Sequence, residues 1–229
     1  MIAMGSHESK RLLLVAATEQ EAESARKLPG FTAGQGNLRE MSLLVAGVGS
    51  VSTSWELQKW FAANQKPDLA INIGIAGSYR QEIGIGDVVM PVTDCFAGQG
   101  VEDGDKILTL FEAGLAAGDQ FPFTDGVLRS DPLYSQIAGR LVRPVHAITV
   151  SMATGSEATR DRLVEKFNPD IETMEGATFF YICRREHIPF IALRSVSNMV
   201  EKRNRERWDI PGALESLSAK LNDIIQILT

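Results

Sequence analysis

Short apolar segments that end in glycine or a small polar cluster alternate with stretches of helical spacing, and this alternation constrains the fold more than any other feature of the sequence. Arg11-Leu12-Leu13-Leu14-Val15-Ala16-Ala17, Ser42-Leu43-Leu44-Val45-Ala46, Leu69-Ala70-Ile71-Asn72-Ile73, Gly86 to Val92, Pro144 to Ser151 and Pro189 to Val196 read as strands. They are too short for core helices and rich in β-compatible side chains. Between them Leu57, Trp60 and Phe61 recur at helical spacing, and Gly176 to His187 is apolar and helical. Thr18 and Ser156 stand where helix N-caps are expected. Ile171 to Met174 is short and extended, and residues 97–130, rich in Gly and Asp, read as loop. The clearest helix is the tail, where Ile210, Leu214, Leu217, Leu221, Ile224 and Leu228 step by fours and threes. Such alternation predicts an α/β fold: a single three-layer domain over residues 11–229, with a mixed, mostly parallel twisted central sheet flanked by helices. Residues 1–10 lack the apolar stretch of a signal peptide and, with Met4-Gly5-Ser6-His7, look like a leader or an expression-derived segment.

Composition narrows the function classes. The 229 residues carry 23 basic and 29 acidic side chains, net −6, which argues against a nucleic-acid partner. No apolar run approaches the ~18 residues of a membrane span. Cys95 and Cys183 cannot make a disulfide framework, and no Cys/His cluster suggests a metal. Reduced thiols fit a cytoplasmic protein. The expected partner is a small molecule, and no cofactor is called for.

In open α/β sheets ligands sit beyond the carboxyl ends of strands, and the polar motifs fall there. Gly47-Val48-Gly49 lacks the third glycine of a dinucleotide site, because position 52 is Ser52; a tight turn near a ligand fits better. Asn72-Ile73-Gly74-Ile75-Ala76-Gly77 is either a plain strand-to-loop turn or a place where backbone N–H groups approach a ligand. Glu172-Thr173-Met174-Glu175-Gly176 puts a carboxylate between a short strand and an apolar helix. It serves a helix dipole or sits partly buried with partners. Arg194-Ser195-Val196-Ser197-Asn198 ends the last strand in polar residues. His146 and His187 have no nucleophile or metal partner visible in sequence, and the seven charges of residues 201–209 read as a solvated connection.

Taken in order, Ala16-Ala17-Thr18-Glu19-Gln20-Glu21, Gly47-Val48-Gly49, Asn72 to Gly77, Met174-Glu175-Gly176-Ala177 and Arg194 to Asn198 resemble the nucleoside phosphorylase/nucleosidase superfamily over nearly the whole chain. Within it the chain is most similar to the futalosine hydrolases, nucleosidases of menaquinone biosynthesis, through Ala16 to Glu19, Glu172 to Ala177, Ser197-Asn198 and the tail around Trp208 and Ile210. The resemblance implies roles. Glu21 would position and activate water, Met174 pack on the ribose, Glu175 grip ribose hydroxyls and Asn198 read the purine edge. Gly74, Ile75, Ala76 and Gly77 would lie near ribose and water, with Thr173 and Thr159 also at the substrate. It also implies a homodimer or higher homo-oligomer.

The residue types suit that chemistry. Breaking an N-glycosidic bond builds positive charge on the sugar, which a carboxylate stabilises while a second takes a proton from water. The leaving purine takes up negative charge, so donors at its edge matter.

Four positions depart from relatives of this kind. Asn198 stands where adenine-specific nucleosidases have Asp; an amide both donates and accepts, which suits a 6-oxopurine. Ala158 stands where a base-stacking aromatic is common, and Ile75 where Ser is frequent. Asn72 stands where phosphorylases have an Arg for phosphate. The implied function is therefore hydrolysis of futalosine to hypoxanthine and dehypoxanthine futalosine. Alternatives are a methylthioadenosine/S-adenosylhomocysteine nucleosidase, a 6-oxopurine nucleoside phosphorylase, or a non-catalytic nucleoside sensor.

Overall fold

The computed structural model describes residues 10–29, 31 and 39–228. Strand β1 (Lys10–Ala16) leads through Thr18 into α1 (Glu19–Arg26), and β2 (Arg39–Val45) leads into α2 (Gly49–Ala63). Strands β3 (Leu69–Ser78) and β4 (Val88–Asp94) follow, then the short β5 (Gly100–Asp103), β6 (Lys106–Thr109) and β7 (Leu128–Arg129). The remainder runs α3 (Pro132–Ala138), β8 (Arg143–Thr149), α4 (Glu157–Phe167), β9 (Ile171–Thr173), α5 (Gly176–Arg185), β10 (Phe190–Met199) and α6 (Ile210–Leu228). Among the described residues this is an α/β fold with six helices and a mixed sheet.

Among the described residues eight strands form the main sheet. β1 pairs parallel with β2 and β3, β3 with β10, β4 with β8, and β8 with β9. β10 with β4, β3 with β9, and β4 with β7 pair antiparallel. Because β3 bonds both β9 and β10, the strands β3, β10, β4, β8 and β9 close a ring of pairings.

Packing explains why the apolar runs show no polar alternation. Side chains alternate across a strand, and both faces of this sheet are covered. Leu12, Leu14, Ile71, Ile73, Ile191 and Leu193 join an apolar cluster with Ala22 and Ala25 of α1 and Leu217, Leu221 and Ile224 of α6. Leu13, Val15, Ala70 and Ala192 join another with Leu57 and Phe61 of α2 and Phe179 and Phe180 of α5. Truncating one of these buried leucines, Leu221→Ala for example, costs about 2–5 kcal/mol.

Three expectations change. Residues 97–130 are not all loop: β5 and β6 form an antiparallel hairpin and β7 pairs with β4. Its strands escape notice because β5 is exposed throughout and so carries no apolar pattern. Helix α3 is an addition, started by an Asp131 cap with Pro132 in its first turn. Gly74 to Gly77 is not a strand-to-loop turn but the interior of β3. Lys10, assigned to the leader, is the first residue of β1, and residues 1–9 lie outside the described residues. Among the described residues no helix is long and apolar enough to cross a membrane.

Candidate active site

The ends of β1, β3, β9 and β10 meet at a cavity of about 200 Å³, which Trp208 also lines. Three carboxylic acids, Glu21, Glu172 and Glu175, line it, and no basic side chain does so among the described residues.

Glu21 comes to the wall as the third residue of α1. Thr18 caps that helix and accepts the Glu21 N–H at 3.2 Å, while Glu21 Oε2 accepts the Thr18 N–H and hydroxyl, each at 3.0 Å, a reciprocal capping box. The same oxygen accepts the Ala17 N–H at 3.2 Å. Oε1 turns to β3 and accepts the Ile75 N–H at 3.1 Å. Only glycine permits this approach, because a Cβ on Gly74 would stand 2.6 Å from Glu21 Oε1. Gly74 therefore backs Glu21 rather than lining the cavity, while Ile75, Ala76 and Gly77 line it.

Glu175 precedes α5 and accepts the Gly49 N–H at 2.7 Å. Gly49 opens α2 with φ +83°, and Gly47 two residues earlier has φ +78°; left-handed values of this kind favour glycine. The Gly-Val-Gly sequence is thus a turn that aims a helix N-terminus at a carboxylate. Burial pushes the Glu175 carboxyl above its ordinary value, and the charge of Glu21 adds to this. The Gly49 N–H and the Arg194 guanidinium act the other way.

Arg194 was visible only as a member of a polar strand end. It is completely enclosed, donating to the carbonyls of Asn72 and Leu193 at 3.0 Å each and to the Asn72 side chain. Asn72 in turn donates to Val15 O at 2.9 Å. Asp94, also fully buried, accepts the Thr149 hydroxyl at 3.0 Å, and Thr149 Oγ1 accepts the Ala177 N–H at 2.7 Å. The first turn of α5, and with it Glu175, rests on this relay. Asp94 Oδ2 has no hydrogen-bond partner among the described residues. Burial pushes Asp94 up to about 7, with Glu175 adding to the shift and Thr149, Arg194 and the Cys95 N–H opposing it.

Asn198 reaches the cavity at an irregularity of β10, where the register on β3 slips between Val196 and Asn198; such bulges re-aim a side chain. Its Oδ1 accepts from Ser197 at 2.9 Å and its Nδ2 donates to Met199 O at 3.1 Å. Met174 and Thr173 also line the cavity, and Thr173 Oγ1 accepts the Gly176 N–H at 3.1 Å. Thr159 does not join them. It sits exposed in the first turn of α4, its N–H donating to the Ser156 cap at 3.2 Å. The neighbouring loop contributes Ala153 and Thr154 instead. Ala158 is exposed on the same helix and is not part of the wall.

Two features were not anticipated. Glu172 accepts the Tyr79 hydroxyl at 2.6 Å and the Thr154 N–H at 2.8 Å. Beside the cavity-lining Trp208, the exposed Arg203 guanidinium lies 5.7 Å from the centroid of the Trp208 ring. A cavity holding rigid carboxyl groups beside an amide can stabilise a cationic sugar, deprotonate water and bond a heterocycle edge.

The sequence matches the Phosphorylase superfamily over residues 1–229. It is 31% identical over 221 residues to a futalosine hydrolase of Acidothermus cellulolyticus, covering 91% of this chain and 87% of that relative. It is 25% identical over 219 residues to a 5′-methylthioadenosine/S-adenosylhomocysteine nucleosidase of a Geobacillus species, covering 90% and 88%. The fold is also that of a Helicobacter pylori futalosine hydrolase structure, with a TM-score of 0.78 at 15% identity, covering 96% of this chain and 99% of that one.

Proposed function

This chain belongs to the phosphorylase superfamily, and on that premise we propose that it hydrolyses the N-glycosidic bond of futalosine, releasing hypoxanthine and dehypoxanthine futalosine in menaquinone biosynthesis. The futalosine hydrolase relatives favour this substrate over methylthioadenosine. The observation that carries hydrolysis is the lining of the cavity: three acids and no basic side chain among the described residues. Phosphate is an anion and needs cations to hold it. The nearest buried cation, Arg194, is committed to Asn72 and Leu193, so water is the nucleophile.

In this reading Glu175 faces the ribose and stabilises the positive charge that grows as the bond to the base breaks. Glu21, held by four donors, orients the attacking water and takes its proton. Met174 packs on the sugar, with Thr173 and Ile75, Ala76 and Gly77 completing the wall. Asn198 donates to the leaving base. Thr159 has no part. The acid-bearing end of the substrate leaves past Trp208, where Arg203 is the neighbouring cation.

The two apolar clusters support reading residues 11–229 as one domain, with helices layered on both faces of a mostly parallel sheet. Val51 and Trp55 of α2 and Met152 are exposed apolar side chains. They support a homodimer or higher homo-oligomer, measurable by sedimentation. The reading remains that of a cytoplasmic enzyme. Its test is a substrate panel: futalosine should be cleaved with a higher kcat/KM than inosine, methylthioadenosine or the 6-amino analogue of futalosine. Preference for methylthioadenosine would replace this function with that of the other nucleosidase relatives.

A further inference from the structure

Of the three acids on the cavity wall, the chemistry above uses two. Glu172 remains. It is 5% exposed, yet it faces the cavity rather than the core. Its position follows from strand pairing. Gly77 of β3 lies between Glu172 of β9 on one side and Asn198 of β10 on the other. A Cβ on Gly77 would meet Asn198 Nδ2 at 3.2 Å and Glu172 Cγ at 3.4 Å. The missing side chain thus lets a carboxyl group and an amide stand side by side at one end of the cavity.

The carboxyl is oriented but not saturated. Tyr79 donates to Oε2 at 2.6 Å and the Thr154 N–H to Oε1 at 2.8 Å. Each oxygen has room for a second donor. Glu21 differs, with three donors on Oε2 alone. The amide likewise keeps one N–H beyond the one given to Met199 O. Together they present an acceptor beside a donor.

A 6-oxopurine shows the complement of that pair: N1–H donates, and O6 next to it accepts. A 6-aminopurine shows the reverse, an N1 lone pair beside an amino donor. We propose that Glu172 sets base specificity by accepting N1–H of the 6-oxopurine while Asn198 donates to O6. This rests on the nucleosidase reading and deepens it. An amide alone can turn over and serve either base, whereas a carboxylate cannot donate to a bare N1. Sites built around a hydrogen bond reject the analogue that leaves a buried group unpaired. Tyr79 and Thr154 act as positioning residues that hold the carboxyl toward the base.

The test compares kcat/KM for futalosine and for its 6-amino analogue in the native protein and in Glu172→Gln. Glutamine keeps the shape and an acceptor oxygen and adds an N–H that can serve the bare N1. The futalosine preference should fall at least tenfold, with cleavage of the 6-amino analogue retained, which shows that the catalytic groups are intact. An unchanged preference overturns the proposal, as does equal loss of both substrates in a variant that unfolds at the native temperature. If Glu172→Gln does not fold, inhibition of the native protein by free bases decides. Hypoxanthine should inhibit at least tenfold more tightly than 1-methylhypoxanthine, which lacks N1–H, and equal inhibition overturns the proposal. Failure of the nucleosidase reading looks different: the native protein would then cleave none of the nucleosides.

Discussion

Glu21 Oε1 accepts the backbone N–H of Ile75 at 3.1 Å, so the acid that opens α1 is fixed against the strand that floors the cavity. The residue just before that N–H is Gly74, where a methyl group would meet the same oxygen at 2.6 Å. Gly74→Ala should therefore displace the carboxylate without touching substrate. Turnover should drop at least roughly tenfold, part of the ~10²–10⁴ that a positioned base contributes. Steady-state kcat and a thermal melt check this, and native kcat in the variant would show that the Glu21–Ile75 contact is irrelevant to catalysis.

Glu21→Gln and Glu175→Gln should each lower kcat by roughly 10² or more. They should differ in binding, because Glu21 acts on water and Glu175 on the sugar: sugar-product affinity should survive only in the first. The pH profile adds a second readout. Glu175 works ionised, and burial raises it above the ordinary 4.5, so activity should fade as pH drops through a value above 4.5. Glu21 contributes to that shift, so the acid limb of the residual activity in Glu21→Gln should move to lower pH. A limb that does not move would separate the two groups.

Asp94 predicts a pH-dependent stability. Its carboxyl ionises near 3.8 when exposed and near 7 when buried. Between those values unfolding releases a proton, so stability falls as pH rises across the window and levels off above it. Asp94→Asn removes the titration. The variant's unfolding temperature minus the native one should grow from pH 4 to pH 7 and then stay constant. Each kcal/mol corresponds to roughly 2–4 °C in a chain of this size. A difference that is flat across that range would contradict the assignment.

Arg203→Ala should raise KM for futalosine roughly tenfold, the scale of one charge-assisted hydrogen bond, and leave KM for inosine, which lacks the distal acid, nearly unchanged. Equal effects on both would remove Arg203 from substrate recognition.

The parts of this molecule that were legible in sequence are those where one physical rule dominates. Leu12 to Ala16 and Ile191 to Leu193 are buried on both sides of the sheet, so their apolar runs are uninterrupted. Helix α6 buries one face, so Leu214, Leu217 and Leu221 keep helical spacing. Glu21 and Asn198 stood out through the resemblance, in the motifs Ala16 to Glu21 and Arg194 to Asn198, rather than through any local signature of their own. The hairpin of β5 and β6 had none, because β5 is exposed throughout and β6 is only four residues long with none fully buried. Helix α3 was not read from the sequence, although Asp131 caps it and Pro132 stands in its first turn. Arg194, Asp94 and Glu172 were hidden for another reason. Their partners Asn72, Thr149 and Tyr79 lie 122, 55 and 93 residues away along the chain, and only strand pairing brings them together. Thr159 shows the converse: it is three residues from the Ser156 cap, and helix geometry turns it to solvent.

The central claim is that water, not phosphate, attacks the sugar in a cavity lined by acids. The direct measurement is product analysis after incubation with futalosine in phosphate-free buffer and again with added phosphate. The account predicts hypoxanthine and the free sugar product at the same rate in both. Strict dependence on phosphate, with a sugar 1-phosphate as product, would contradict it.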